Sequence, residues 1–268
     1  MALPSHRFDL IRVKIERAEQ HIQDLNAAID TFFLGKPYEV GTKSDPQTRE
    51  LIYYMVRVEN VPLSIAAICG DALQNLRTAL DHLASQLVST AGGGERSDSA
   101  AFPIGASAKK YKAMVARKVE GMGQRAKNAI DAVEPYEGGK GDVLWRLHAL
   151  NNIDKHRLLL TVASTYDFHS ITPSGREHFR TIWHGSHGDE PFPAMREVFV
   201  APGKRIFPLK AGDEILRVPE AEINEDMKFL VDVAFNESGI VEGKSVLETL
   251  QGMANAVNNL LSDFAALL

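Results

Sequence analysis

GDALQNLRTALDH, residues 70–82, carries leucines at the spacing of a packed helix and, among them, Asp71, Asn75, Arg77, Asp81 and His82. The apolar stripe runs through Ala66, Cys69, Leu73, Leu76, Leu80, Leu83 and Leu87, and Pro62 stands where a first helical turn accepts it. At about 100° per residue the leucines fall on one side, while Asp71, Asn75, Thr78 and His82 fall on the opposite side. Arg77 and Asp81, four residues apart on the flank between these stripes, are placed to pair.

Working outward, Phe8, Ile11, Ile15, Ala18, Ile22, Leu25, Ile29 and Phe32 alternate spacings of three and four, which predicts a long N-terminal helix packed on the first. Between the two helices, GTKSDPQ supplies turn residues between Tyr38–Val40 and Leu51–Val58, so a β-hairpin insertion is expected at about 37–60. TAGGGERSDSAAFPIG reads as a flexible connector. Shorter helices are expected around 107–118 and 121–133, and a further helix from about Asp142 to His156 after the glycines at 138, 139 and 141.

From Leu158 the pattern becomes short β-type runs (LLLTVAST, FRTIW, REVFVA, KRIFPL, EILRVP and MKFLVDVAF) separated by turn residues. The chain closes on a third seam, Leu250, Met253, Val257, Leu260, Phe264 and Leu267. The fold class expected is therefore α+β: an antiparallel helical bundle over 1–156 with its hairpin insertion, an antiparallel β-rich half-domain over 157–240, and a helix over 241–268 returning to the bundle.

Bulk properties narrow the function. The 268 residues, 44% hydrophobic and 24% charged with a formal net charge of -5, give a globular chain with no global basic footprint for nucleic acid. Cys69 is the only cysteine, which excludes an intramolecular disulfide and fits a cytoplasmic protein. The N-terminus has no signal-type apolar core and no run reaches the ~20 apolar residues of a membrane span, so no membrane partner is expected.

The stripe of Asp71, Asn75, Thr78 and His82 admits three readings: a solvated face, a buried structural network, or a functional site. Short polar residues are poorer helix formers than the Lys, Glu and Gln of an ordinary exposed face, and they suit a confined network. Arg77-Thr-Ala-Leu-Asp-His82 resembles the signature of an arginine, four to six residues and a histidine in the HEPN superfamily, all-helical domains of many prokaryotic ribonucleases of toxin and phage-defence systems. A polar residue often follows the arginine there, as Thr78 does here. The resemblance implies that Arg77 stabilises the charged phosphate and His82 moves a proton in metal-independent RNA cleavage, usually at a dimer interface. That chemistry needs a base near neutral pKa and a cation at the phosphate.

A second cluster lies in LHALNNIDKHRLLL, residues 147–160. Asn151 and Asp154 continue the face that begins at Leu147, while Lys155, His156 and Arg157 crowd the helix end, where cations complement the helix dipole. A buried carboxylate needs a partner, and Arg77 or His82 could supply it. The expectation is one shared pocket in which Arg77, His82, Asp154 and His156 act and Asp71, Asn75, Asn151 and Lys155 bind. It requires the helix from Asp142 to pack on the polar side of the 62–90 helix.

RNA or a nucleotide is the expected ligand, a homodimer through the helical seams the expected assembly, and no metal or other cofactor is expected. The competing expectation is a non-catalytic structural or partner-binding protein whose polar clusters are internal hydrogen-bond networks. His178, His184 and His187 lack a recognised metal-ligand spacing, AGGGER lacks the lysine of a phosphate-binding loop, and the G-x-S-x-G and HExxH motifs are absent.

Overall fold

The apolar spacing of residues 8–32 becomes helix α1 (Pro4–Leu34), and that of residues 66–87 becomes α2 (Leu63–Thr90), in a computed structural model that describes residues 4–92, 100–165, 206–219 and 231–268. The two seams face one another. Ile11, Ile15, Ala18, Ile22, Leu25 and Ile29 are buried with Cys69, Leu73, Leu76, Leu80, Leu83 and Leu87 in one core. The helices run antiparallel: Arg7, at the start of α1, donates to Thr90 Oγ1 at the end of α2.

Three further helices follow, α3 (Ala108–Lys118), α4 (Gln124–Val133) and α5 (Asp142–Asp154). Ser107 starts α3 by accepting the Lys110 amide at 3.3 Å, satisfying one of the free N–H groups of a first helical turn. Helix α6 (Val246–Phe264), capped by Ser245, packs back on α1, α2 and α5, with Leu250, Met253, Val257, Leu260 and Phe264 buried and Leu267 partly buried. Because α2 is covered by α1, α5 and α6, its buried surface is far wider than one leucine stripe, and it takes in Gly70, Ala72, Ala79 and Arg77.

The strands β1 (Tyr38–Asp45) and β2 (Glu50–Val58) form the antiparallel hairpin. Its turn is shorter than the sequence suggests, because GTKS stays extended and the reversal is made between Asp45 and Glu50. Asp45 accepts the Gln47 amide at 2.9 Å through its side chain and the Arg49 amide at 2.9 Å through its carbonyl. β2 also pairs antiparallel with β4 (Glu214–Pro219), Tyr53 lying opposite Leu216, so β2 is the central strand of three. The other two strands among the described residues, β3 (Thr161–Thr165) and β5 (Val231–Phe235), pair with each other.

The chain divides into two compact units. One draws on residues within 1–35, 61–161 and 233–268, the other on residues within 36–60 and 162–232. The hairpin thus groups with the later strand β4 and not with the helices that flank it in sequence, and the division after the helices falls at 161/162, five residues beyond the expected one. The physical reason is edge pairing, since β2 would otherwise present an open row of backbone donors and acceptors. Of the expected runs, EILRVP is a strand as read. The described part of KRIFPL, 206–209, is not extended, and its Phe207–Pro208 peptide is cis. FRTIW, REVFVA, the start of MKFLVDVAF and most of AGGGER lie outside the described residues.

Candidate functional site

Helix geometry separates the two members of the Arg77-x4-His82 motif. Five residues place their side chains about 140° apart around α2. His82, half-buried, turns toward α1, where its Nδ1 lies 3.2 Å from the Leu10 carbonyl oxygen. A carbonyl only accepts, so this contact places the ring proton on Nδ1. Two more members of the stripe bond within α2: Asn75 donates to the Asp71 carbonyl at 2.9 Å and Thr78 to the Gln74 carbonyl at 2.7 Å.

Arg77 turns the other way and is buried, 8% exposed. Its Nη2 donates to Asp81 Oδ1 at 2.9 Å and to the Phe102 carbonyl at 3.2 Å, while Asp81 Oδ1 also accepts the Phe102 amide at 3.0 Å. One ion pair therefore satisfies both backbone groups of Phe102, whose ring is buried in the core. Burial draws the guanidinium below its usual pKa and Asp81 opposes that, leaving a charged group. Nη1 of Arg77 is buried and has no hydrogen-bond partner.

Helix α5 brings His148, Asn151 and Asp154, three residues apart along one face, to the α2 flank that carries Gly70 and Arg77. Asp154 sits at one end. A Cβ built on Gly70 would lie 2.4 Å from each of its carboxylate oxygens, so the missing side chain is what lets this carboxylate rest on α2. Burial, then the neighbouring charge of Asp71, raises the Asp154 pKa. His148 sits at the other end, near Arg77. Burial first, then Arg77, Lys155 and Lys118, lowers its pKa to about 4, so the imidazole is neutral at pH 7.

These contacts are six residues apart on α5 and seven on α2, about 9 and 10 Å of helix, which is the match expected of antiparallel packing. Asn151 falls between them. It is 1% exposed, and neither atom of its amide has a partner; His148 Nδ1 is likewise buried and unpartnered, while its Nε2 lies 3.1 Å from Asn152 Nδ2.

Of the expected site residues, the structure brings Asp71 to Asp154, and Arg77 with Lys155 to His148. His82 instead meets the Leu10 carbonyl of α1, about 140° around α2 from Arg77. His156 is exposed beyond the end of α5, its amide donating to Ile153. In the basic KHR run it is Arg157 that has a structural partner, a two-pronged ion pair with the buried Glu237 at 2.9 and 2.7 Å, and Glu237 also accepts the Leu160 amide at 2.8 Å. His148, Phe102 and Glu237 were not singled out from the sequence. Only His148 left a signal there, one helical turn before Asn151 and Asn152.

Among the described residues no three His, Cys, Asp or Glu side chains gather as a metal site would require, and no helix is long and apolar enough to cross a membrane. His178, His184 and His187 lie outside the described residues. No family model matches the chain, and no curated protein or solved structure shows significant similarity to it.

Proposed function

We propose that the helical unit binds a phosphate-bearing ligand, a nucleotide or RNA, as a HEPN-like protein, and that Arg77 and His82 do not form a cleavage pair within it. The observation that carries this reading is the state of Arg77: a charged guanidinium fixed on one edge by Asp81 and Phe102, with Nη1 buried and unpartnered beside a neutral histidine. A pre-oriented cation with an open donor is suited to a phosphate oxygen. Cleavage would need a proton carrier at the same phosphate, and His82 projects about 140° around α2 from Arg77, toward Leu10 of α1.

The experiment is fluorescence anisotropy with labelled single-stranded RNA and with adenosine 5′-monophosphate as competitor, alongside incubation of the RNA in the presence of a chelator. Binding weakened about tenfold or more in Arg77→Gln, with the RNA left intact, is the expected result. Absence of any phosphate-dependent binding overturns the binding reading. Metal-independent cleavage lost in both Arg77→Ala and His82→Ala overturns its non-cleaving part.

The Asp81–Arg77–Phe102 arrangement also favours a second reading, an internal network in a non-catalytic scaffold, because its three hydrogen bonds are complete without a ligand. Under that reading Arg77→Gln lowers stability and changes no binding.

A further inference from the structure

Resting on that phosphate-binding reading, we infer that Asn151, His148, Lys118 and Lys155 complete with Arg77 a site for one terminal phosphate monoester, the end group of a mononucleotide or of a 5′-phosphorylated RNA. Two buried polar side chains from different helices, Arg77 of α2 and Asn151 of α5, carry unpartnered atoms along one packed seam, and His148 Nδ1 adds a third such group. Buried polar groups are ordinarily satisfied, and three of the free atoms, Arg77 Nη1, Asn151 Nδ2 and the His148 Nδ1 that carries the ring proton when Nε2 accepts from Asn152, call for an occupant that accepts hydrogen bonds, with Asn151 Oδ1 the one acceptor among them.

Charge identifies the occupant. Among the described residues the charged groups that act on His148 are cations: Arg77 from α2, Lys118 from the end of α3 and Lys155 from just beyond α5. Asp81 balances Arg77, while Asp71 and Asp154 lie at the Gly70 end of the seam, two turns from Arg77 and His148 and one turn from Asn151. The remaining two lysine charges match the roughly -1.5 to -2 of a phosphate monoester at neutral pH better than the single charge of a diester. Burial favours the same choice, because a chain-internal phosphodiester must leave the site on both sides and a terminal phosphate on only one. Lys155 is exposed and Lys118 half-buried, so neither lysine is sealed inside the core.

The test titrates the full chain with adenosine 5′-monophosphate, adenosine, and one RNA oligomer bearing either a 5′-phosphate or a 5′-hydroxyl, following both affinity and the His148 ring signals by NMR. Adenosine 5′-monophosphate or the 5′-phosphorylated RNA should bind and raise the His148 pKa by about a unit or more, since an adjacent anion favours the imidazolium. Adenosine and the 5′-hydroxyl RNA should do neither, and the first pair tells the two sources of phosphate apart. Asn151→Asp and Lys155→Glu should each weaken binding about tenfold or more. If Asn151→Asp does not fold, the exposed Lys155→Glu decides alone. RNA bound equally with and without its 5′-phosphate, or binding unchanged in the folded variants, overturns this site and leaves the broader reading standing. Failure of every phosphate compound to bind overturns both.

Discussion

Asp154 rests its carboxylate on the backbone of Gly70, close enough that a methyl group there would lie 2.4 Å from either oxygen. Two opposing effects decide what Gly70→Ala does. Alanine gains about 1 kcal/mol of helix propensity in mid-helix, while the carboxylate, being half-buried, is free to swing toward solvent. The expected net change in unfolding free energy is within about 1 kcal/mol, accompanied by an Asp154 titration nearer the ordinary carboxylate range. Gly70→Leu, which no such rotation accommodates, should push α5 off α2 and lose about 1–3 kcal/mol. Urea unfolding and carboxyl NMR titration check both.

Asp154 also carries a pH dependence of definite sign. Its folded pKa is raised above the ordinary 3.8, by burial and then by Asp71, so near and above that value the folded chain holds a proton that the unfolded chain releases. Its stabilising share is complete below pH 3.8 and is lost as pH rises through the folded pKa. Asp154→Asn should therefore be more stable than the parent at pH 7 and lose that advantage in acid. Solvent screening keeps the difference below about 1 kcal/mol. A stability difference independent of pH would show that the carboxylate is not strained there.

The helical part of the fold was legible because the buried faces of α1, α2 and α6 each contain a continuous apolar stripe, and that periodicity survives in the sequence as Ile11 to Ile29, Leu73 to Leu87 and Leu250 to Phe264. The grouping of the hairpin with β4 was not, since strand pairing at long separation leaves no local pattern: nothing near Tyr53 announces Leu216. In the candidate site, the charge acting on Asp154 is that of Asp71, where Arg77 or His82 was the expected partner, while the i,i+4 pair of Arg77 with Asp81 was readable. The divergence of Arg77 and His82 follows from their spacing alone and could have been taken from it. What no spacing reveals is which flank a neighbouring helix covers; here Gly70, the small residue, decides it.

Arg77 and Asp81 should couple strongly. Arg77→Met removes the cation and leaves Asp81 with only the Phe102 amide and the Phe102 carbonyl without its donor. Loss of one partner of a fully buried pair costs about 3–5 kcal/mol, and the partial exposure of Asp81 brings the expectation to about 2–3 kcal/mol. A double-mutant cycle with Asp81→Asn should return a coupling of about 1–2 kcal/mol, with faster hydrogen exchange at the Phe102 amide in either single variant. Additive losses would mean that the two side chains hold Phe102 independently.

His148 should make the protein acid-sensitive in a window of its own. In the unfolded chain the imidazole titrates near its ordinary 6.5, whereas in the folded chain burial and the cations around it hold the pKa at about 4. Between these values the unfolded chain takes up a proton that the folded chain refuses, so stability falls as pH drops from about 6.5 toward 4 and is independent of this group above that range. The full linkage is at most ~3 kcal/mol, and solvent at the partly open ring reduces it to about 1–2 kcal/mol. Asp154 titrates with the opposite sign, so the histidine's share is read as the difference between the parent and His148→Gln, in which the Asp154 contribution is common to both. His148→Gln, a neutral side chain at every pH, should flatten the urea midpoint between pH 5 and 6.5 while matching the parent more closely at pH 7.5. A bound phosphate monoester should flatten the parent's curve as well, by lifting the folded pKa toward 6.5 and closing the gap from which the acid sensitivity arises. A parent whose pH profile coincides with that of His148→Gln over this range would place His148 in contact with water and remove the cation cluster from around it.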